Sequence, residues 1–149
     1  MALADIRARI VANLQSVDGI GPVYGYERMP RDWKRFLDLF KTGHGKINGW
    51  MATRRKTPAQ WAGFPTVERN HLWVMRGVYG LNDEEASELA FQAQIEAIQA
   101  VFENDGELGG TVLRSEPVQV ATVEHRMFAN VLCHWAELHL PAVERVMYS

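Results

Sequence analysis

The chain has 149 residues, 47% of them hydrophobic, and its 16 Lys and Arg against 18 Asp and Glu give a formal net charge of −2. That suits one globular domain able to bury a core without covalent staples, and it disfavours a general nucleic-acid binder, which would carry a basic excess. One cysteine closes no internal disulfide, charges at Asp5, Arg7 and Arg9 interrupt what a signal peptide needs as its apolar core, and no uncharged apolar run approaches the roughly 18 residues of a membrane span; a soluble, unexported protein is expected.

In chain order, residues 3–17 place Ile6, Ile10, Val11 and Leu14 at the spacing of an amphipathic helix, which DGIGP (18–22) ends. Gly19, Gly21 and Gly25 follow a helix and lack the spacing of a dinucleotide-binding fingerprint, so they read as turn residues. A strand is expected over 23–29. In PRDWKRFLDLFK (30–41), Trp33, Phe36, Leu37 and Phe40 recur at helical spacing behind Pro30, which a helix start tolerates. TGHG (42–45) closes that short helix. Alternation in 47–54 and the β-formers Trp73, Val74, Val78 and Tyr79 in 71–79 predict two strands.

Between those strands, KTPAQWAGFPTVERN (56–70) reads as a long irregular loop, because Pro58, Gly63 and Pro65 disfavour regular structure. Its Trp61 and Phe64 either pin the loop to the domain's own core or reach outward to a partner. Asn82 then caps the most clearly marked helix, with Glu85 where a capping box places its acid and further acids in the first turn. Ala86, Leu89, Ala90, Ala93, Ala97 and Val101 form its apolar stripe, widened by Ile98 and Phe102, as far as about Glu103. After 104–110, residues 118–122 and 128–140 predict two more strands, the second stopping at Pro141. The order describes a single α+β domain with a mostly antiparallel sheet packed against two main helices.

Charge is unevenly spread. From Glu27 to Lys56 the bases Arg28, Arg31, Lys34, Arg35, Lys41, Lys46, Arg54, Arg55 and Lys56 face only Glu27, Asp32 and Asp38, whereas 81–110 holds Asp83, Glu84, Glu85, Glu88, Glu96, Glu103, Asp105 and Glu107 with no base. Two solvated faces of opposite sign account for this simply. Self-association, an acidic patch on one copy against a basic patch on the next, accounts for it as well and generates rings or filaments.

VLCHWAELHL (131–140) concentrates the reactive-looking side chains. On a strand, however, Cys133, Trp135, Glu137 and His139 point one way and Leu132, His134, Ala136, Leu138 and Leu140 the other, so Cys133 and His134 are back to back. A catalytic thiol needs a base in hydrogen-bond reach and zinc needs convergent ligands. Cys133 and His139 share a face but lie about 20 Å apart along it. His44, His71 and His125 form no ligand spacing, and no nucleophile elbow or phosphate loop is present. No catalytic residue, metal site or cofactor is assigned.

The succession IRARIVANLQSV, GIGPVYGYERM, DWKRFLDLF, INGWMATRR and FANVLCHWAELHLPAVERV resembles the tail-terminator and minor tail proteins of long-tailed bacteriophages, over most of the chain, as an order of element types and lengths. The resemblance implies a non-enzymatic virion protein, assembled in the host cytoplasm without a cofactor. Such proteins form a ring, usually a hexamer, on the tail tube, stop its polymerisation and offer a surface to the head-tail connector; neither a membrane nor a specific nucleic-acid sequence is involved. Within that expectation Arg54 and Arg55 on one copy and Glu84 and Glu85 on another are candidate contacts between ring neighbours, and Trp61 and Phe64 a candidate contact to a neighbour or the tube. Another neck or connector subunit, and a small thiol-dependent enzyme centred on Cys133, are the alternatives.

Overall fold

The computed structural model describes residues 2–28, 33–41, 46–128 and 130–149. In chain order they form α1 (Ala2–Gln15), β1 (Val23–Tyr24), α2 (Trp33–Phe40), β2 (Asn48–Lys56), β3 (Ala59–Trp61), β4 (Thr66–Gly80), α3 (Ser87–Glu103), β5 (Arg114–Ser115), β6 (Gln119–Phe128) and β7 (Val131–Met147). The strands make one sheet in the order β1-β2-β4-β7-β5, with β3 also beside β4 and β6 also beside β7. Among the described residues, only the two-residue β1 runs parallel to its neighbour. The α+β architecture with a mostly antiparallel sheet is therefore as the sequence implies. Pro30 and the 42–45 loop lie outside the described residues.

Alternation along β4 and β7 divides the sheet into two faces. On one, Trp73, Met75, Ala136, Leu138 and Leu140 meet Ile6, Ile10 and Leu14 of α1 and Phe91, Ile95, Ile98 and Phe102 of α3. On the other, Met51, Val78, Cys133 and Trp135 meet Phe36 and Phe40 of α2. Two glycines permit this closeness: a Cβ on Gly77 would stand 2.4 Å from the Trp50 indole, and one on Gly49 2.3 Å from the Phe40 ring. Trp50 is buried there and donates its indole N–H to Gln94 Oε1 at 2.8 Å.

The helices are shorter than the strands they cover. β4 and β7 are paired from Thr66↔Met147 to Gly80↔Cys133, a ladder about 50 Å long at the usual rise, whereas α1 and α3 span about 20–25 Å. They cover the end of the ladder that holds Trp73 and Leu138. The rest, with β3 alongside, projects as a bare arm.

That arm replaces the long loop expected over 56–70. β3 pairs with β4 from Ala59↔Arg69 to Trp61↔Val67, and residues 62–65 are a tight turn closed by Thr66 N–H donating to Gly63 O. Pro58 and Pro65 fall at the break after β2 and in the turn, where no ladder donor is needed. Pro141 likewise fails to stop β7, because its carbonyl accepts from Glu116 N–H. A residue's N and O share one side of a strand, so the missing N–H faces the edge where β6 gives way to β5 and leaves β4 undisturbed.

The long helix also differs from expectation. Asn82 Oδ1 accepts from Glu85 N–H at 3.4 Å, but this caps a 3₁₀ turn, Asp83–Glu85. Ala86 then adopts a left-handed conformation and α3 starts at Ser87. The buried stripe is Ser87, Phe91, Gln94, Ile95, Ile98 and Phe102, while Leu89, Ala90, Ala93 and Ala97 are exposed. Two stripes at helical spacing compete in this segment, and the one with the larger side chains removes more apolar area from water.

Candidate functional site

Arg54, Arg55, Trp61, Phe64, Glu84 and Glu85 fall at three separate places. Arg54 and Arg55 are exposed near the end of β2, where the register with β4 shifts. Trp61 ends β3 and Phe64 sits in the turn at the tip of the arm, 61% and 84% exposed, their ring centroids 5.3 Å apart. Their rings pack against each other with planes tilted by 52° and do not reach the core, because the arm carries them beyond the helices. Tyr148 N–H donates to Pro65 O and brings the exposed Met147 and Tyr148 alongside, which makes the tip one apolar patch. Glu84 and Glu85 lie at the opposite end of β4, about 50 Å away along the strand. Glu85 pairs there with Lys46 at 3.6 Å, so the acidic and basic stretches do touch within one chain, at an exposed pair that contributes about 1 kcal/mol or less.

The residues of VLCHWAELHL separate as alternation requires. Cys133 is fully buried among Phe36, Phe40 and Trp135, and burial pushes its thiol up to about 11, which leaves too little thiolate for nucleophilic chemistry near neutral pH. His134 is on the other face, where the Ser87 hydroxyl donates to its Nε2 at 2.7 Å. Burial, and then the nearby His125, hold His134 below its ordinary pKa. The same Ser87 Oγ accepts from Asn82 N–H at 2.8 Å, so the pair ties the start of α3 to β7. Among the described residues no group of three or more His, Cys, Asp or Glu converges as metal ligands, and no helix is long and apolar enough to cross a membrane.

Two charged clusters escape sequence reading. On the α2 face, Arg76 donates to Glu27 at 3.0 Å and to Glu137 at 3.1 Å, and His139 Nε2 donates to Glu137 at 3.0 Å. The His139 bond first, and Arg76 next, hold the Glu137 carboxyl below the usual range against the opposing effect of its burial. Arg76, Glu27 and Glu137 edge a cavity of about 450 Å³ over Phe36, Met51, Val78 and Trp135. At the root of the arm, buried His71 donates Nε2–H to buried Glu144 at 3.1 Å and accepts at Nδ1 from the Thr57 hydroxyl at 2.9 Å. The available signal is a charge inside a β-rich run, Arg76 in HLWVMRGVYG and Glu144 in LPAVERV, since such residues are rarely interior unless paired. Their partners become visible only with the strand register.

No protein-family model matches the chain, and no curated protein does.

Proposed function

We propose that this chain is a structural subunit of a bacteriophage tail, a terminator that assembles as a hexameric ring on the end of the tail tube and joins it to the head connector. The observation that carries this reading is the tip of the arm: Trp61 and Phe64, in contact with each other and solvent-facing, beside Met147 and Tyr148. The helix-covered end of the sheet buries its own aromatic residues, so an uncharged aromatic tip held far from that core suits contact with another protein. The order of elements supports the phage assignment, and the uneven spread of acidic and basic residues along the chain supports self-association. A buried thiol at about 11 with its neighbouring histidine across the sheet gives the thiol-enzyme alternative no support.

The test is genetic and visual. A phage carrying Trp61→Ala with Phe64→Ala should make folded protein but tails of irregular length, or tails lacking heads, in electron micrographs. Uniform, head-bearing tails and an unchanged titre from that double variant would overturn the reading.

A further inference from the structure

The sheet face that bears α1 and α3 is only partly covered by them. Residues paired across two strands point to the same face, so Val120, Val123 and Met127 of β6, opposite Leu138, Ala136 and Leu132, belong to the helix-bearing face. The register shift between Val120 and Thr122 is what sets Val120 and Val123, three residues apart, on one side. The helices leave this strip open: Val123 is 37%, Leu132 41% and Met127 61% exposed. Beside it, the flank of α3 is acidic. Gln99 Nε2–H donates to Val118 O at 3.4 Å, at the start of β6, and Glu88, Gln92, Glu96 and Glu103 stand on the same side of the helix as Gln99, at intervals of three or four residues. Glu88, Glu96 and Glu103 are exposed, and no base among the described residues is ion-paired with them.

The arm presents the complementary surface. Alternation along β4 puts Val67 on the face of Trp73 and Met75, and its partners Trp61 and Val146 extend it into an apolar row. Arg54, opposite Trp73, points to that face as well. Arg54, Arg55 and Lys56 are exposed, and no acid among the described residues is ion-paired with them. The arm's own acids are engaged, Glu68 with Arg145 and Glu144 with Arg69 and His71. From Leu138, opposite Val120, to Met147 at the tip is about 30 Å along β7, so a chain cannot lay its own tip on its own β6 strip.

We infer that the β6 strip, beside the acidic flank of α3, receives the arm of a second copy of this chain. The row of Trp61, Val67 and Val146 packs face to face on Val123, Met127 and Leu132, as two sheets do at about 10 Å, while Arg54, Arg55 and Lys56 meet Glu88, Glu96 and Glu103. Charge selects this occupant: unpaired bases border one apolar surface and unpaired acids the other. This rests on the ring reading and names its subunit contact. The two surfaces differ, so the contact is heterologous: each copy gives an arm to one neighbour and a strip to the other, and the chain of contacts closes as a ring or continues as a filament. Salt weakens it, because charges at its rim are screened.

Sedimentation of the intact chain, alone and with isolated tail tubes, tests this. Arg54→Glu with Arg55→Glu, and separately Glu88→Arg with Glu96→Arg, change exposed side chains, so each pair should keep the unfolding midpoint while association weakens by about tenfold or more. The fourfold variant restores opposite signs across the contact and should associate as the wild type does, which loss of folding would not permit. A second arm mixes two chains. Met127→Lys with Leu132→Lys spoils the strip and keeps the arm, Trp61→Ala with Phe64→Ala does the reverse, and together they should give a dimer and nothing larger. Wild-type association of either charge variant, a fourfold variant as weak as the pairs, or anything but a dimer from the mixture overturns this contact and leaves the ring reading standing. A wild-type chain that stays monomeric even on tube ends overturns the ring reading, and this contact with it.

Discussion

The two ends of the β4–β7 ladder are built from the same strands and put to opposite uses. At the covered end, Trp73 and Met75 face Ala136, Leu138 and the helices, and Gly77 gives up its side chain so that Trp50 can lie against the backbone. In the arm, charged cross-strand pairs alternate with Val67 opposite Val146: Glu68 and Arg145 are directly opposed and paired at 3.5 Å, and Arg69 bonds the Tyr148 hydroxyl. Stability comes from the end where helices exclude water, since apolar burial is the dominant favourable contribution to folding. The arm keeps its shape through strand pairing and leaves its aromatic tip available.

The largest difference expected between the two ends is in their response to losing a tryptophan. Trp50→Ala removes a fully buried indole and strands Gln94 Oε1 without its donor, and should cost about 3–5 kcal/mol in urea unfolding. Trp61→Ala with Phe64→Ala removes a pair of exposed rings and should cost about 1 kcal/mol or less. A tip variant as destabilised as the core variant would mean that the arm is structurally part of the core.

The boundary between the ends is the next place to probe. Glu144 is buried between His71 and Arg69, with oxygen-to-nitrogen distances of 3.1 and 3.5 Å. Glu144→Leu leaves the His71 Nε2–H without its acceptor, at about 1–3 kcal/mol. Because few apolar contacts hold the arm, that loss should appear as local opening. Hydrogen exchange should quicken in residues 66–70 and 143–147 and stay unchanged in 73–79. Equal acceleration throughout would show the arm and the covered end opening as one unit.

Much of the covered end was legible in the sequence, and the arm was not, for one physical reason. Ile6, Ile10 and Leu14, and the alternation of Cys133, His134, Trp135 and Ala136, are local patterns whose period matches the element they form. In 56–70 the local marks, Pro58, Gly63 and Pro65, indicate breaks, and what makes the segment a strand pair is the long-range register of β4 with β7. Pro141 misled in the same way: its missing N–H is harmless only because β6 and β5 exchange places beside it. On α3, alanine counted as apolar in the pattern, yet Phe91 and Ile95 decide which side turns inward. The candidate residues Trp61 and Phe64 were found by their anomaly as aromatics in a polar segment, whereas the Arg76–Glu137 pair and the cavity needed the register.

The smallest expected effect is on pH dependence, and it belongs to the covered end. His134 has a folded pKa below its ordinary 6.5, owing to burial and then to His125, with Glu88 opposing. As pH falls through 6.5 the unfolded chain therefore takes up a proton first, and stability that is complete above that pH begins to decline. Glu137 and Asp105 are also depressed, from 4.5 and 3.8, the first by His139 ahead of Arg76 and the second chiefly by Arg9. Their contributions are present above those values and disappear as pH falls through the folded ones, so the decline should steepen below about pH 4.5. Melting temperatures measured from pH 7 downward should show both steps. His134→Gln should abolish the upper step and keep the lower, since Gln carries no titrating group near pH 6. If that variant instead retains the upper step, another histidine governs it and the Ser87–His134 pair does not hold α3 to β7 in the neutral form described.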